Sequence, residues 1–375
     1  MKIRVLHVID HLGYGGAPVA VRNIAERING ERIETVVCAL RTNPRAMPIK
    51  VRLINLGYHK YNPFAALAIT KLCREHKIDI IHAHLQKSVI ICLLAGFFSD
   101  AKIIVHEHGP IFRGGTGFLY RLLLKSLHSR AAVAIANSQA TKTALIRTAG
   151  FDEKSIQVVS NFIDFARFDR NLYDRDKARD KLGVAANQVA VGFVGRLDPC
   201  KGADVLIHAA ALLCRESEQF RFVIMGEGSQ RSQLERLAGQ LGLQDKVTFA
   251  GLCTNPAEVM IAFDVAVVPS RREAFGIAAV EFMRMKIPVV ASAVGGLVEV
   301  VKHEKTGILV DPLSPEAIAE AVGRIVQDKA LRESLINEAE AFCRKFDGRE
   351  QLRQITEIYE KLCSRNPDAR CARRT

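Results

Sequence analysis

Two glutamates, Glu273 and Glu281, stand eight residues apart around the pair Phe275-Gly276. The run Phe263 to Val268 before them reads as a buried strand, and Pro269 stops it because proline has no N–H for a ladder. Gly276 then opens a helical run through Met285. Eight residues make roughly two turns of helix, so Glu281 returns close to the line of the helix start. First-turn amides have no intrahelical partner, and the dipole makes that end positive. The result is an anion site with carboxylates at its edge. The amides of Phe275, Gly276 and Ile277 suit phosphate oxygens, and the glutamates suit hydroxyls. A sugar carrying a diphosphate offers both. The competing reading is a solvated helix face with acidic residues near its positive end.

Other polar groups sit at the ends of apolar runs. Gly195-Arg196-Leu197-Asp198-Pro199-Cys200-Lys201-Gly202 follows such a run, and Arg196 and Lys201 can converge on one diphosphate. Plain surface charges in a loop are the alternative. Gly13-x-Gly15-Gly16 invites a dinucleotide reading, but Pro18 falls where the third glycine belongs, and Arg41 stands where an acidic ribose ligand is wanted. The loop instead lets backbone approach a phosphate or an acceptor, or is simply a tight turn. His82-x-His84 and His106-x-His108 each close a strand; with Glu107 they make a conceivable metal set. The two pairs need not converge, however, so no metal is expected.

The elements that must position these residues alternate strand and helix along 375 residues, enough for two domains. The strands are apolar throughout, which argues for parallel sheets covered on both faces. The expected fold is α/β, with two doubly wound Rossmann-like halves and the ligand in the cleft between the carboxyl ends of their sheets. The first half is expected over residues 1–165, a charged connector over 166–187, the second half over 188–345 and a basic tail over 366–375. Nine scattered cysteines without C-x-x-C exclude a zinc ribbon or disulfide framework and fit a reducing compartment. No signal pattern and no apolar run of spanning length stand out, so a cytoplasmic protein is expected, at most resting on a membrane. Tryptophan is absent and aromatics are 6%, which argues against stacking on single-stranded nucleic acid. The net charge of +13 implies an anionic partner. The basic, apolar stretch Phe112-Arg113 and Phe118 to Leu127 allows docking on anionic lipid; a core helix with two solvated cations, Arg121 and Lys125, is the plainer alternative.

Glu273-x7-Glu281 with Phe275-Gly276 inside it resembles the signature of retaining GT-B glycosyltransferases of family 4. Gly195 to Gly202 is similar to that family's Gly-Arg-Leu-x-x-x-Lys-Gly diphosphate loop, and Gly226-Glu227-Gly228 and Ala293-Val294-Gly295-Gly296-Leu297-Val298-Glu299 resemble its further donor loops. Gly15-Gly16 resembles its first Gly-Gly loop, from which Pro18 departs. Ile103 to Gly109 resembles the block whose last histidine, here His108, faces the sugar, with His106 behind it. The resemblance implies transfer from a nucleoside-diphosphate sugar, UDP favoured, to a hydroxyl of a glycan or lipid-linked acceptor, with no cofactor and no metal. Arg196 and Lys201 would neutralise the leaving diphosphate, Glu273 hold sugar hydroxyls, Glu281 hold the ribose and His108 contact the sugar. It also implies a last helix, 346–365, crossing back onto the first domain. A nucleotide-sugar epimerase on the same fold, or a catalytically dead basic scaffold binding polyanions, remains open at this level.

Overall fold

A computed structural model describes residues 2–59, 62, 64–109 and 115–364. The chain divides into two compact units, Met1–Phe162 with Gly348–Thr375, and Ile163–Asp347. Phe112-Arg113 and the basic tail at 366–375 lie outside the described residues.

Unit 1 holds strands β1 (Ile3–Ile9), β2 (Ile33–Ala39), β3 (Arg52–Asn55), β4 (Ile80–His84), β5 (Lys102–Glu107), β6 (Ala131–Ala136) and β7 (Ile156–Val158). Its helices are α1 (Gly16–Ile28), α2 (Ala65–Glu75), α3 (Gln86–Ala95), α4 (Gly115–Leu127) and α5 (Gln139–Ala149). The strands form one parallel sheet in the order β3-β2-β1-β4-β5-β6-β7. Consecutive side chains point to opposite faces, so an all-apolar strand needs cover on both. Leu6, Val8, Ile81 and Val105 pack on one face with Ile69 of α2 and Leu93 of α3. Val5, Ile80 and Ile104 pack on the other. Pro18 lies in the first turn of α1, where a missing N–H costs nothing.

Unit 2 holds α6 (Arg175–Lys181), β8 (Val189–Val194), α7 (Ala203–Glu216), β9 (Phe220–Met225), α8 (Arg231–Gln240), β10 (Val247–Gly251) and α9 (Ala257–Met260). It continues with β11 (Val265–Val268), α10 (Ile277–Arg284), β12 (Val289–Ser292), α11 (Leu297–Val300), β13 (Ile308–Val310), α12 (Pro315–Gln327) and α13 (Lys329–Cys343). Its parallel sheet runs β10-β9-β8-β11-β12-β13. The last helix, α14 (Arg349–Ser364), belongs to unit 1. Ile355, Ile358, Tyr359 and Cys363 recur at helical spacing and pack against Val5, Ile80, Ile104 and Phe162.

Three expectations need correction. The charged stretch 166–187 is no free connector: Phe168, Ala178 and Val184 join the unit 2 core, and buried Arg179 donates to Asp264 Oδ2 at 3.0 Å. Helix α10 begins at Ile277 after a left-handed Gly276, so Glu281 stands just over one turn into it, not two turns from its start. On α4, Lys125 is exposed as expected, but Arg121 is half-buried with its Nε lacking a hydrogen-bond partner.

Candidate active site

In both sheets the strand order reverses beside the first strand, and the loops leaving the carboxyl ends at that point are where such folds bind ligands. In unit 2 these are the loops after β8 and β11. Gly202 has φ +69°, and a Cβ there would lie 2.0 Å from the Pro269 carbonyl oxygen, so the two loops touch backbone to backbone. The β12 loop closes in the same way: Gly295 has φ +49°, and its Cβ would lie 2.0 Å from the Glu273 carbonyl oxygen. Gly296 N–H donates to that same oxygen at 2.9 Å. Gly195 and Gly226 join the β8 and β9 ends, Gly195 N–H donating to Met225 O at 3.0 Å.

This packing brings Lys201 Nζ to 2.5 Å from Glu273 Oε2, with Ser270 Oγ donating to the same oxygen at 3.3 Å. Arg271, which the sequence reading passed over, clamps the two loops. Its guanidinium donates to both Asp204 oxygens, at 2.7 and 2.5 Å, and to Pro199 O at 2.8 Å. Burial works to raise the Asp204 carboxyl, but the Arg271 hydrogen bond and charge outweigh it and hold the group below its usual range. Arg196 does not meet Lys201 on a common partner. Its guanidinium is 59% exposed and pairs with Asp198 at 3.1 Å.

Gly276 caps α10 and Phe275 is buried beside it. Ile277, the first helical residue, packs half-buried on the core. Glu281 lies on the same helix, buried. Burial pushes its carboxyl up to about 8, with the Arg167 charge opposing.

Unit 1 places polar groups differently. Gly15 precedes α1 and Gly16 begins it. His108 follows β5, and both its ring nitrogens are taken: Nε2 faces His84 Nδ1 at 2.9 Å, and Nδ1 faces Asn161 Oδ1 at 3.2 Å. The two histidine pairs do converge, contrary to the sequence-based expectation, because β4 and β5 pair in register, His84 opposite His106. His7 of β1 joins them, opposite His82. Nothing in the spacing marked His7; only the register of β1 with β4 does. Tyr359 of α14 sits with its hydroxyl 2.6 Å from His82 Nδ1. Glu107 is not part of the group. It accepts a hydrogen bond from Tyr120, and burial pushes it up to about 7 against that bond.

Residues 14–167 match the family model described as Glycosyltransferase Family 4, and residues 174–342 match Glycosyl transferases group 1. The chain is 36% identical over 274 residues to an uncharacterised glycosyltransferase of Methanocaldococcus jannaschii, covering 70% of each. It is 31% identical over 390 positions to a D-inositol 3-phosphate glycosyltransferase of Corynebacterium urealyticum, covering 93% of this chain and 91% of that one. Relatives of the same name from two Salinispora species and Thermomonospora curvata are matched over 54%, 50% and 56% of their own length. Among solved structures, Anabaena HepE in complex with UDP and glucose superposes with a TM-score of 0.83 at 25% identity, over 96% of this chain and 100% of that one. A sucrose-phosphate synthase of Thermosynechococcus elongatus has the same fold, with a TM-score of 0.85 at 22% identity over 97% and 100%.

Proposed function

This chain belongs to the group 1 glycosyltransferases of the GT-B fold, and from that premise we propose that it moves a sugar from UDP to a hydroxyl acceptor with retention of configuration. The observation that carries the reading is the meeting of Lys201 and Glu273 in the loops before α10, with Glu281 just over one turn into that helix. In the donor-free chain the lysine and the carboxylate neutralise each other. A bound diphosphate takes the lysine, which frees Glu273 to accept from sugar hydroxyls. Arg196, held only by Asp198 on the surface, can swing to the same phosphates. The amides of Phe275 to Ile277 add dipole stabilisation of the leaving group. Glu281 holds its proton near neutral pH and can both donate to and accept from ribose hydroxyls. Gly195, Gly226, Gly295 and Gly296 let the backbone close around these groups. His108 contacts the transferred sugar by giving up Asn161, its longer bond.

The UDP preference is supported by the ligand of the Anabaena neighbour. The acceptor is a glycan or lipid-linked hydroxyl of cell-envelope or polysaccharide synthesis. The exposed apolar side chains Phe118 on α4, Phe97 just past α3 and Phe64 just before α2 support docking of unit 1 on an anionic membrane surface. No helix of the described residues is long and apolar enough to cross a membrane.

A thermal-shift screen of nucleoside diphosphates tests the reading, because a ligand that binds the folded state raises its melting temperature. UDP and its sugars should give the largest shift. The absence of a shift with any nucleoside diphosphate sinks the proposal. Transfer should continue undiminished in EDTA, since Lys201, Arg196 and helix amides meet the diphosphate charge.

A further inference from the structure

Five histidines line one face of the unit 1 sheet, and the proposed reaction uses only one. Three of them form a file. His7 Nδ1 lies 3.0 Å from His84 Nε2, His84 Nδ1 lies 2.9 Å from His108 Nε2, and His108 Nδ1 lies 3.2 Å from Asn161 Oδ1. Burial holds His7 down to about 3 and His108 to about 4, and His84 well below its usual value, so all three rings are neutral near pH 7. A neutral imidazole has one N–H and one lone pair. The amide oxygen of Asn161 can only accept, so the His108 proton sits on Nδ1. His108 Nε2 is then an acceptor, His84 must donate from Nδ1, and His84 Nε2 accepts from His7 Nδ1–H. The spare lone pair falls on His7 Nε2, which is buried without a partner. The reversed file would put an orphan N–H there and set a lone pair against the amide oxygen, a double penalty.

We infer that His84 and His7 are positioning residues that hold His108 as the Nδ1–H tautomer, so that it presents a donor to a sugar hydroxyl oxygen replacing Asn161 Oδ1. The open end of the file is the right one: His108 and Asn161 are 8% and 7% exposed, while His7 and His84 are sealed. A metal ion would use the same atoms. The triplets His7, His82, His84 and His84, His106, His108 each bring ring nitrogens within 4.8 Å. Of the ten ring nitrogens only His7 Nε2 and His106 Nε2 lack a hydrogen-bond partner; the rest pair within the group, with Tyr359 or with Asn161, His82 Nε2 facing His106 Nδ1 at 3.1 Å. Metal ligation would need bare lone pairs aimed at one point.

The catalytic meaning rests on the proposed sugar contact; the tautomer does not. Long-range proton–nitrogen spectra of the full chain labelled with ¹⁵N-histidine, taken without substrate at pH 7, read the tautomer directly. His108 should show a protonated Nδ1 and a bare Nε2. His84→Asn, which keeps an N–H near the old Nδ1, should preserve that pattern and hold kcat/KM within about threefold, whereas His84→Leu should release the tautomer and lower kcat/KM about tenfold. A protonated Nε2 on His108 in the unsubstituted chain overturns the inference even if His84→Leu fails to fold. So does zinc bound at one equivalent with loss of the ring N–H signals. Either result leaves the nucleotide reading of unit 2 standing, and failure of every nucleotide to bind leaves the tautomer standing.

Discussion

Both units carry polar residues at or just beyond the carboxyl ends of their central strands, yet they keep those residues in opposite states. In unit 1, five histidines are buried beneath the end of the sheet, stripped of charge and bonded to one another, to Tyr359 and to Asn161. In unit 2, Lys201, Glu273, Arg271, Asp204 and Arg196 form ion pairs at loops that solvent reaches. A buried ion is costly unless compensated, so polar groups sealed in a core become neutral and satisfy one another. Ions kept at a wet rim retain their charge for whatever arrives.

The largest effect expected breaks the charged side. Lys201→Ala and Arg196→Ala should each lower kcat/KM about a hundredfold or more, since each removes a charge-assisted contact to the leaving group. Values within about threefold of the parent would show that the loop is not the phosphate site. Next comes the one unit 2 carboxyl that behaves like unit 1. Glu281 is raised by burial from its ordinary 4.5 to about 8, so the folded chain keeps a proton that the unfolded chain gives up. Stability should therefore fall as pH climbs through that window and stay level below it, by up to a few kcal/mol. Melting curves of Glu281→Gln should lose this slope; an unchanged slope assigns it elsewhere. The same variants divide binding from turnover. Glu281→Ala should weaken calorimetric UDP binding, while Glu273→Ala should spare it and damage kcat, and equal losses of affinity would erase the division.

On the neutral side, Tyr359→Phe leaves His82 Nδ1 unpaired and should cost about 1–2 kcal/mol in urea unfolding, the scale of one orphaned buried group. A neutral result would mean that water replaces the hydroxyl. The smallest effect concerns the α4 surface. Phe118 is 62% exposed, and Lys125 stands in solvent. Vesicles with anionic lipid should sediment the protein at low salt and partly release it as salt rises, because the electrostatic share is screened over about 8–10 Å. A protein that stays wholly in the supernatant has no such surface, and its acceptor is soluble.

The fold was legible because parallel strands covered on both faces leave unbroken apolar runs, as in β8 and β11. Short α6 lacks a full apolar period, and so the charged run at 166–187 looked like a linker. Its signal was Asp174, whose side chain caps α6 by accepting from Lys177 N–H. In the site, motif positions marked Lys201 and Glu273 separately, one for phosphate and one for hydroxyls, but their pairing with each other was not read. The Arg271–Asp204 clamp did not, because two charges 67 residues apart carry no local pattern. The histidine file was hidden for a related reason. His7 meets His84 only through strand register, which no spacing within one segment records.

Helix α14 has a consequence for how the chain is made. Most of unit 1 precedes unit 2 in the chain, but the face over Val5, Ile80, Ile104 and Phe162 stays incompletely covered until α14 is synthesised. All of unit 2 emerges in between. During synthesis unit 2 is thus the first to finish, and unit 1 waits with a greasy face open for the time needed to translate nearly two hundred codons. That interval is when a holdase chaperone would find its target. It also means that a nascent chain stalled before Arg349 displays a complete unit 2 tethered to an unfinished unit 1.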